Sequence, residues 1–136
     1  MNAQQLDHPD LYQRIAQQAA AQLNTLMQSL PGITAGVIAT ADGFEVSAKV
    51  AQGMDTAKLA AMACSISALG AMVGQESEIG ACRDVLVEAA LGSVLIIEIP
   101  HAQYPMILNL VTTHEEVLGQ VLYRAKRVAE SLAQVV

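Results

Sequence analysis

The sequence has few aromatic residues, few charges and only two cysteines. Each shortage excludes certain kinds of core, partner or cellular compartment. With no tryptophan, three tyrosines and one phenylalanine in 136 residues, the core must be built from Ala, Val, Leu, Ile and Met. Seven basic and thirteen acidic residues give a net charge of −6. This argues against nucleic acid or an anionic membrane as the main partner, since both require clustered Lys and Arg. Two cysteines without a CxxC pattern indicate reduced thiols and a cytoplasmic protein.

The length predicts one domain, spanning residues 1–136, that is large enough to bury an ordinary core. We expect residues 1–9 to form a flexible tail, and the first residues lack the basic start and apolar run of a signal peptide. The apolar stretch 59–74 is too short for a bilayer and too rich in Ala, Ser and Gly. No membrane insertion is therefore predicted.

Hydrophobic periodicity predicts a first and a last helix. The first begins near Asp7, a candidate cap, and ends at Pro31-Gly32. The last follows a predicted capping box of Thr113 and Glu116. The expected buried residues of the first helix are Leu11, Ile15, Ala19, Leu23, Leu26 and Leu30, and those of the last are Leu118, Val121, Leu122, Ala125, Val128, Ala129 and Leu132.

Five strands are predicted at residues 33–40, 44–50, 84–90, 93–99 and 106–112. Asp42-Gly43 suits the tight turn of the first hairpin. Alternation places Phe44, Val46, Ala48 and Val50 on one face. The resulting order, α-β-β-α-β-β-β-α, predicts an α+β sandwich about one antiparallel sheet of five strands.

A helix predicted from Thr56 to Gly74, capped by Asp55, has no charge after Lys58. Such a helix cannot face water over most of its surface, so we predict a contact surface for another protein. The larger side chains, expected to pack on the sheet, form a large stripe: Leu59, Met62, Ile66, Leu69 and Val73. The smaller ones, expected to let another backbone approach and so to form a dimer interface, make a small stripe: Ala61, Cys64, Ser65, Ala68, Ala71 and, at its end, Met72.

The sequence does not predict an enzyme. A nucleophile needs a base and an orienting group within reach, whereas the histidines lie in separate segments, at His8, His101 and His114. Cys64 falls in an apolar helix, where a thiol is usually inert. Cys82 lies beside Arg83 in a connector and is a better candidate for a reactive thiol than Cys64, but one arginine is weak support for a lowered thiol pKa. Arg83 is likewise weak support for an arginine finger. No P-loop, GxGxxG or metal-ligand set is present, so no catalytic residue, cofactor or metal is predicted.

In order and spacing, several short segments resemble the Roadblock/dynein-light-chain family. The similarity covers roughly residues 10–133. Its segments are Gly36–Thr40 followed by Asp42-Gly43 and Val46-Ser47, then Leu59–Met62, then Val87-Glu88, Gly92 and Leu95–Ile97, and finally Leu118-Gly119.

This resemblance implies a profilin-like sandwich and a non-enzymatic homodimer in which two sheets join edge to edge and the central helices lie against each other. Bacterial members include regulators of Ras-like small GTPases, so such a GTPase is the expected partner. We predict its contacts at Asp55, Lys58 and Met62.

Alternatives remain open at this point. The chain could be a structural subunit similar to a motor light chain, or a module that senses a small molecule between sheet and helix. A hydrolase using Cys82 or Ser65 is least favoured. The loop Pro100–Pro105 is not recognised as a feature of the family.

Overall fold

One antiparallel sheet of five strands, in the order β2-β1-β5-β4-β3, organises the fold. The computed structural model describes residues 8–51 and 53–136, so Asp7 and most of the predicted tail lie outside the described residues. The predicted order of elements is confirmed. The elements are α1 (Pro9–Ser29), β1 (Ile33–Thr40), β2 (Glu45–Val50), α2 (Thr56–Glu76), β3 (Asp84–Glu88), β4 (Gly92–Ile99), β5 (Met106–Thr113) and α3 (Leu118–Ala133).

The main core lies between the sheet and the pair α1 and α3. All the periodic residues predicted for α1 are buried there, which confirms that helical stripe. In α3, five of the predicted residues are buried and Leu118 and Leu122 pack at the margin. The two helices are also joined by a hydrogen bond from Gln22 Nε2 to Ser131 Oγ, 3.0 Å long. Amphipathic periodicity therefore placed both helices correctly.

The predicted caps are confirmed at one helix and wrong at another. The Asp55 carboxylate accepts a hydrogen bond from the backbone N–H of Lys58 at 3.1 Å, as a capping residue does. Thr113, however, ends β5, and α3 begins at Leu118 without a side-chain cap. Glu116 instead accepts a hydrogen bond of 2.6 Å from the N–H of Gly32, because that donor lies beyond the end of α1 and needs a partner.

A β-bulge in β2 breaks the predicted alternation. Ile38 is paired with Ser47, but Ala39 is paired with Glu45, so Val46 is the extra residue. Val46 consequently packs against the main core, whereas Ala48 packs beneath α2. The prediction that these two side chains share one face is therefore wrong.

Helix α2 lies alone on the opposite face of the sheet and meets it through small residues. Ala60, Ala63 and Gly74 are its buried residues. A Cβ atom at Gly74 would be 2.2 Å from the carbonyl oxygen of Gly80, and one at Gly70 would be 2.7 Å from Cys82 Sγ. The helix backbone therefore approaches its neighbours closely only because these side chains are absent.

The expectation that the large stripe packs on the sheet is wrong for three of its five members. Leu59 and Ile66 are half-buried and contact the sheet. Met62, Leu69 and Val73 are more than half exposed. Because small residues already line the side of α2 nearest the sheet, the bulky ones are displaced to its flank.

The loop between β4 and β5 joins the two ends of the described chain. His101 Nδ1 accepts hydrogen bonds from the backbone N–H groups of Gln103 and Tyr104, both 3.1 Å long. The other ring nitrogen, Nε2, must therefore carry the proton that is donated to the carbonyl of Val135 at 2.7 Å. The Tyr104 hydroxyl donates to the carbonyl of His8 at 3.0 Å. The loop thus holds the start of α1 and the segment after α3.

Gly74→Ala should destabilise the protein by about 1–3 kcal/mol, because the new methyl group would collide with backbone rather than with a movable side chain. Urea unfolding followed by circular dichroism measures this. The control is Gly119→Ala in α3, where no atom lies within 4 Å of the added Cβ; this variant should be unchanged or stabilised by up to about 1 kcal/mol. Equal stability of Gly74→Ala and the parent would contradict the close approach.

Candidate functional site

The outer side of α2 exposes large apolar side chains. Leu69, Met72 and Val73 are 60, 60 and 62% exposed. Beyond the helix, Ile79 and, on the α2 side of β3, Val87 are also exposed. We call these residues, together with Met62, the apolar face. Contiguous apolar surface of this kind usually marks an interaction site.

The sheet beside α2 is also incompletely covered. A row of apolar residues runs in register across all five strands on the α2 side: Val50, Ala35, Val111, Val94 and Val87. At its β3 end, Val94 packs with Ile66, whereas Val87 is exposed. A groove of about 270 Å³ lies over Val94 and Val111. The groove is lined by strand and turn residues and by none from α2, so this part of the sheet lies beyond the helix, and we call the boundary between the two a step.

The edge of the sheet at β3 adjoins this step. Among the described residues, β3 pairs with β4 alone, so the backbone groups on its outer side have no strand beside them. An open edge carrying exposed Leu86 and Val87 is a template for pairing with another strand. Edge pairing and helix contact can therefore occur on one continuous surface.

Most of the predicted interface residues lie on the outer side of α2. Five of them are exposed: Ala61, Ser65, Ala68, Ala71 and Met72. Cys64 is half-buried, and its thiol donates to the carbonyl of Thr40 at 3.3 Å. Five of the six predicted positions are thus open to a neighbour, and the sixth is engaged with the sheet.

The predicted partner residues gather at the opposite end of α2 from β3. Asp55 and Lys58 are exposed in the first turn, and Met62 follows one turn later. Sequence reasoning missed the exposed large side chains and the valine row. A usable signal was the helical spacing of the small residues Ala60, Ala63, Ser67, Gly70 and Gly74, which identifies the side of α2 that approaches the sheet.

The thiol of Cys64 is poorly suited to catalysis. Burial raises the pKa of Cys64, and the negative charge of Asp42 raises it further. A reactive cysteine requires the opposite shift. Within residues 8–51 and 53–136, no three His, Cys, Asp or Glu side chains are grouped closely enough to hold a metal ion.

A second cleft, of about 530 Å³, lies between α3 and the β3–β4 hairpin. Its rim carries Arg83, Glu98 and Glu130, and Lys126 Nζ forms an ion pair of 3.1 Å with Asp84. The charges are of both signs and two of them neutralise each other. This cleft shows no preference for a ligand of one charge.

By length and composition, α2 could cross a membrane, and it is the one described helix of which this is true. The sequence argument that the segment is too short is therefore wrong, since α2 has 21 residues. In the fold, however, its small residues rest on the sheet. Core helices of water-soluble proteins meet the same criteria, so the finding alone does not indicate insertion.

The geometry defines a small α+β domain whose sheet carries two helices on one face and one helix on the other, with an exposed helix flank and an open strand edge at β3. The chain belongs to the Roadblock/LC7 domain family, whose sequence profile matches residues 20–101. The family resemblance is thereby confirmed. No curated protein matches the sequence.

Solved structures share the fold. The gliding protein MglB from Thermus thermophilus is 18% identical with a TM-score of 0.79, covering 89% of this chain and 90% of that one. An MglB with a tetrameric arrangement is 20% identical with a TM-score of 0.79, covering 93% and 90%. A Roadblock/LC7 domain from Streptomyces avermitilis is 21% identical with a TM-score of 0.72, covering 83% and 92%. These identities establish the common fold.

In a Cys82→Ser background, Cys64 should be alkylated more slowly in the folded protein at neutral pH than in urea. A raised pKa leaves less thiolate to react, and burial limits access. Asp42→Asn should accelerate the folded reaction, because removing the negative charge lowers the thiol pKa. Iodoacetamide labelling followed by mass spectrometry measures both rates. Equal rates in folded and unfolded protein would contradict this assignment.

Proposed function

We propose that the protein is a non-enzymatic, homodimeric adaptor that regulates a Ras-like small GTPase in the cytoplasm. The observation that carries the proposal is the apolar face of α2, which continues to the open edge of β3. The sequence resemblance to bacterial GTPase regulators supports the class of partner. This chain shares its fold with MglB, and one MglB structure has a tetrameric arrangement. That likeness is consistent with self-association of this chain.

The proposed dimer forms about a two-fold axis beside β3. Two copies of β3 pair edge to edge and give one continuous sheet, with both α2 helices on the same side. The exposed ends of the helices then meet through Leu69, Met72 and Val73, and the small stripe lies beside this contact. Burying a large apolar side chain gains roughly 1.5–3 kcal/mol, so a few such contacts stabilise association.

A protein partner explains this surface better than a lipid bilayer. One side of α2 is already seated on the sheet, where Ala60 and Ala63 are buried. A helix inserted in a bilayer would have to leave that seat and expose the sheet. The net charge of −6 also opposes attraction to anionic lipid headgroups.

The GTPase contact is proposed at the start of α2. Asp55, Lys58 and Met62 lie away from β3, so the dimer leaves them accessible and presents two copies. Binding there can hold the switch loops of a GTPase in one arrangement, which changes its activity through a shift in population. This mechanism requires no catalytic group from the adaptor.

Ala68→Arg and Leu69→Arg should each convert the dimer towards monomer, because a buried charge without a partner is strongly unfavourable. Sedimentation velocity at micromolar concentration measures the change. Gln120→Arg, at an exposed position on α3, is the matched control and should sediment as the parent does. A monomeric parent, or two arginine variants that remain dimeric, would overturn the proposed interface.

Lys58→Glu should weaken the effect on the GTPase without altering sedimentation, because it reverses charge at the proposed contact while leaving the β3 end intact. Nucleotide hydrolysis and exchange by the cognate Ras-like GTPase, measured with and without the protein, provide the readout. Binding without any change in either rate would favour a scaffold similar to a light chain. Absence of binding, together with a thermal shift caused by a cell metabolite, would favour the small-molecule sensor.

A further inference from the structure

One polar side chain is buried beneath α2 with half of its hydrogen-bonding groups unused. Asn109 lies in β5, the central strand, where it is paired with Val37 on one side and Ile96 on the other. Its side chain is 5% exposed. The amide Nδ2 donates to the carbonyl of Leu59 at the long distance of 3.4 Å. The amide oxygen Oδ1 is the one buried side-chain nitrogen or oxygen atom of the described residues that has no hydrogen-bond partner.

The surroundings of this amide are apolar. Alternation along β5 places Ile107, Asn109 and Val111 on the α2 side, and Ala60 and Ala63 descend from the helix above. Asparagine is disfavoured in strands, and an unpaired acceptor in such surroundings retains the full cost of losing its water. The sequence thus places an unpaired polar group at the centre of the interface between α2 and the sheet.

A second, independent observation indicates that the packing of α2 on the sheet is weak. Of its 21 residues, three are buried. Its contacts with the sheet divide into two small clusters, whereas α1 and α3 share one large core. Elements with few buried apolar contacts open locally at a lower free energy than the rest of a fold.

We propose that Asn109 keeps the seat of α2 on the sheet adjustable, so that α2 shifts or lifts locally while α1, α3 and the sheet stay folded. When the helix lifts, Oδ1 gains a hydrogen bond to water, which offsets part of the lost packing. This inference rests on the proposed function, because it makes the binding helix the element whose position a second copy or a GTPase selects. Asn109 is then a positioning residue for the interface and touches no partner itself.

Hydrogen exchange on the intact protein tests the proposal. Asn109→Val removes the unpaired acceptor and supplies a side chain suited to a strand, so the amides of α2 should exchange about tenfold more slowly, relative to those of α1 and α3 in the same molecule. Asn109→Ala removes the same acceptor without added volume, and slowing in either variant supports the proposal. Thr112→Val is the control on the same strand; its hydroxyl has acceptors in the carbonyls of Gly32 and Thr113, and its loss should not slow α2.

If neither Asn109 variant slows the exchange of α2 relative to the other helices, the proposal is overturned. Sedimentation of the same samples reports the dimer separately. Slowed exchange in a monomeric protein would overturn the proposed function and leave the role of Asn109 standing. Unchanged exchange in a dimeric protein would overturn the role of Asn109 and leave the proposed function standing.

Discussion

The arrangement depends on the close contact between the small residues of α2 and the sheet. Gly70 and Gly74 bring the helix backbone against the start of β3 and the loop before it, so closely that a methyl group at either position would meet atoms of its neighbours. This contact directs Met62, Leu69 and Val73 away from the sheet. Although α2 has the composition of a core helix, its large side chains therefore point away from the sheet. The exposed surface follows from packing and does not require an unusual fold.

Among the described residues, that surface supports the proposed function better than any reactive side chain does. The thiol of Cys64 is turned to the sheet with its pKa raised by burial, and His101 is used in holding the β4–β5 loop. The apolar face, in contrast, joins helix, step and open edge in one place. A regulator that acts by contact needs such a surface, and a two-fold dimer leaves the start of each α2 accessible to a further partner.

Sequence patterns predicted the parts of the fold that carry clear periodicity. Leu11 to Leu30 in α1 and Val121 to Leu132 in α3 alternate with polar residues, so one side is unambiguous. Helix α2 lacks that contrast, and its orientation depends on which neighbour approaches it closely. The bulge at Val46 and the bond between Glu116 and Gly32 depend on partners distant in sequence. Helix α2 was therefore predicted as a contact surface, but its larger side chains were assigned to the side that faces the sheet.

In the proposed dimer a second copy covers the outer side of α2 at the end near β3, and oxidation of methionine across a dilution series tests this most directly. Met72 lies on the apolar face, and Met54, also exposed, precedes α2 and lies outside the proposed contact. Limited peroxide treatment followed by mass spectrometry should show Met72 protected at high protein concentration and reactive on dilution, with Met54 reactive throughout. Oxidation of Met72 at the same rate at every concentration would contradict the account.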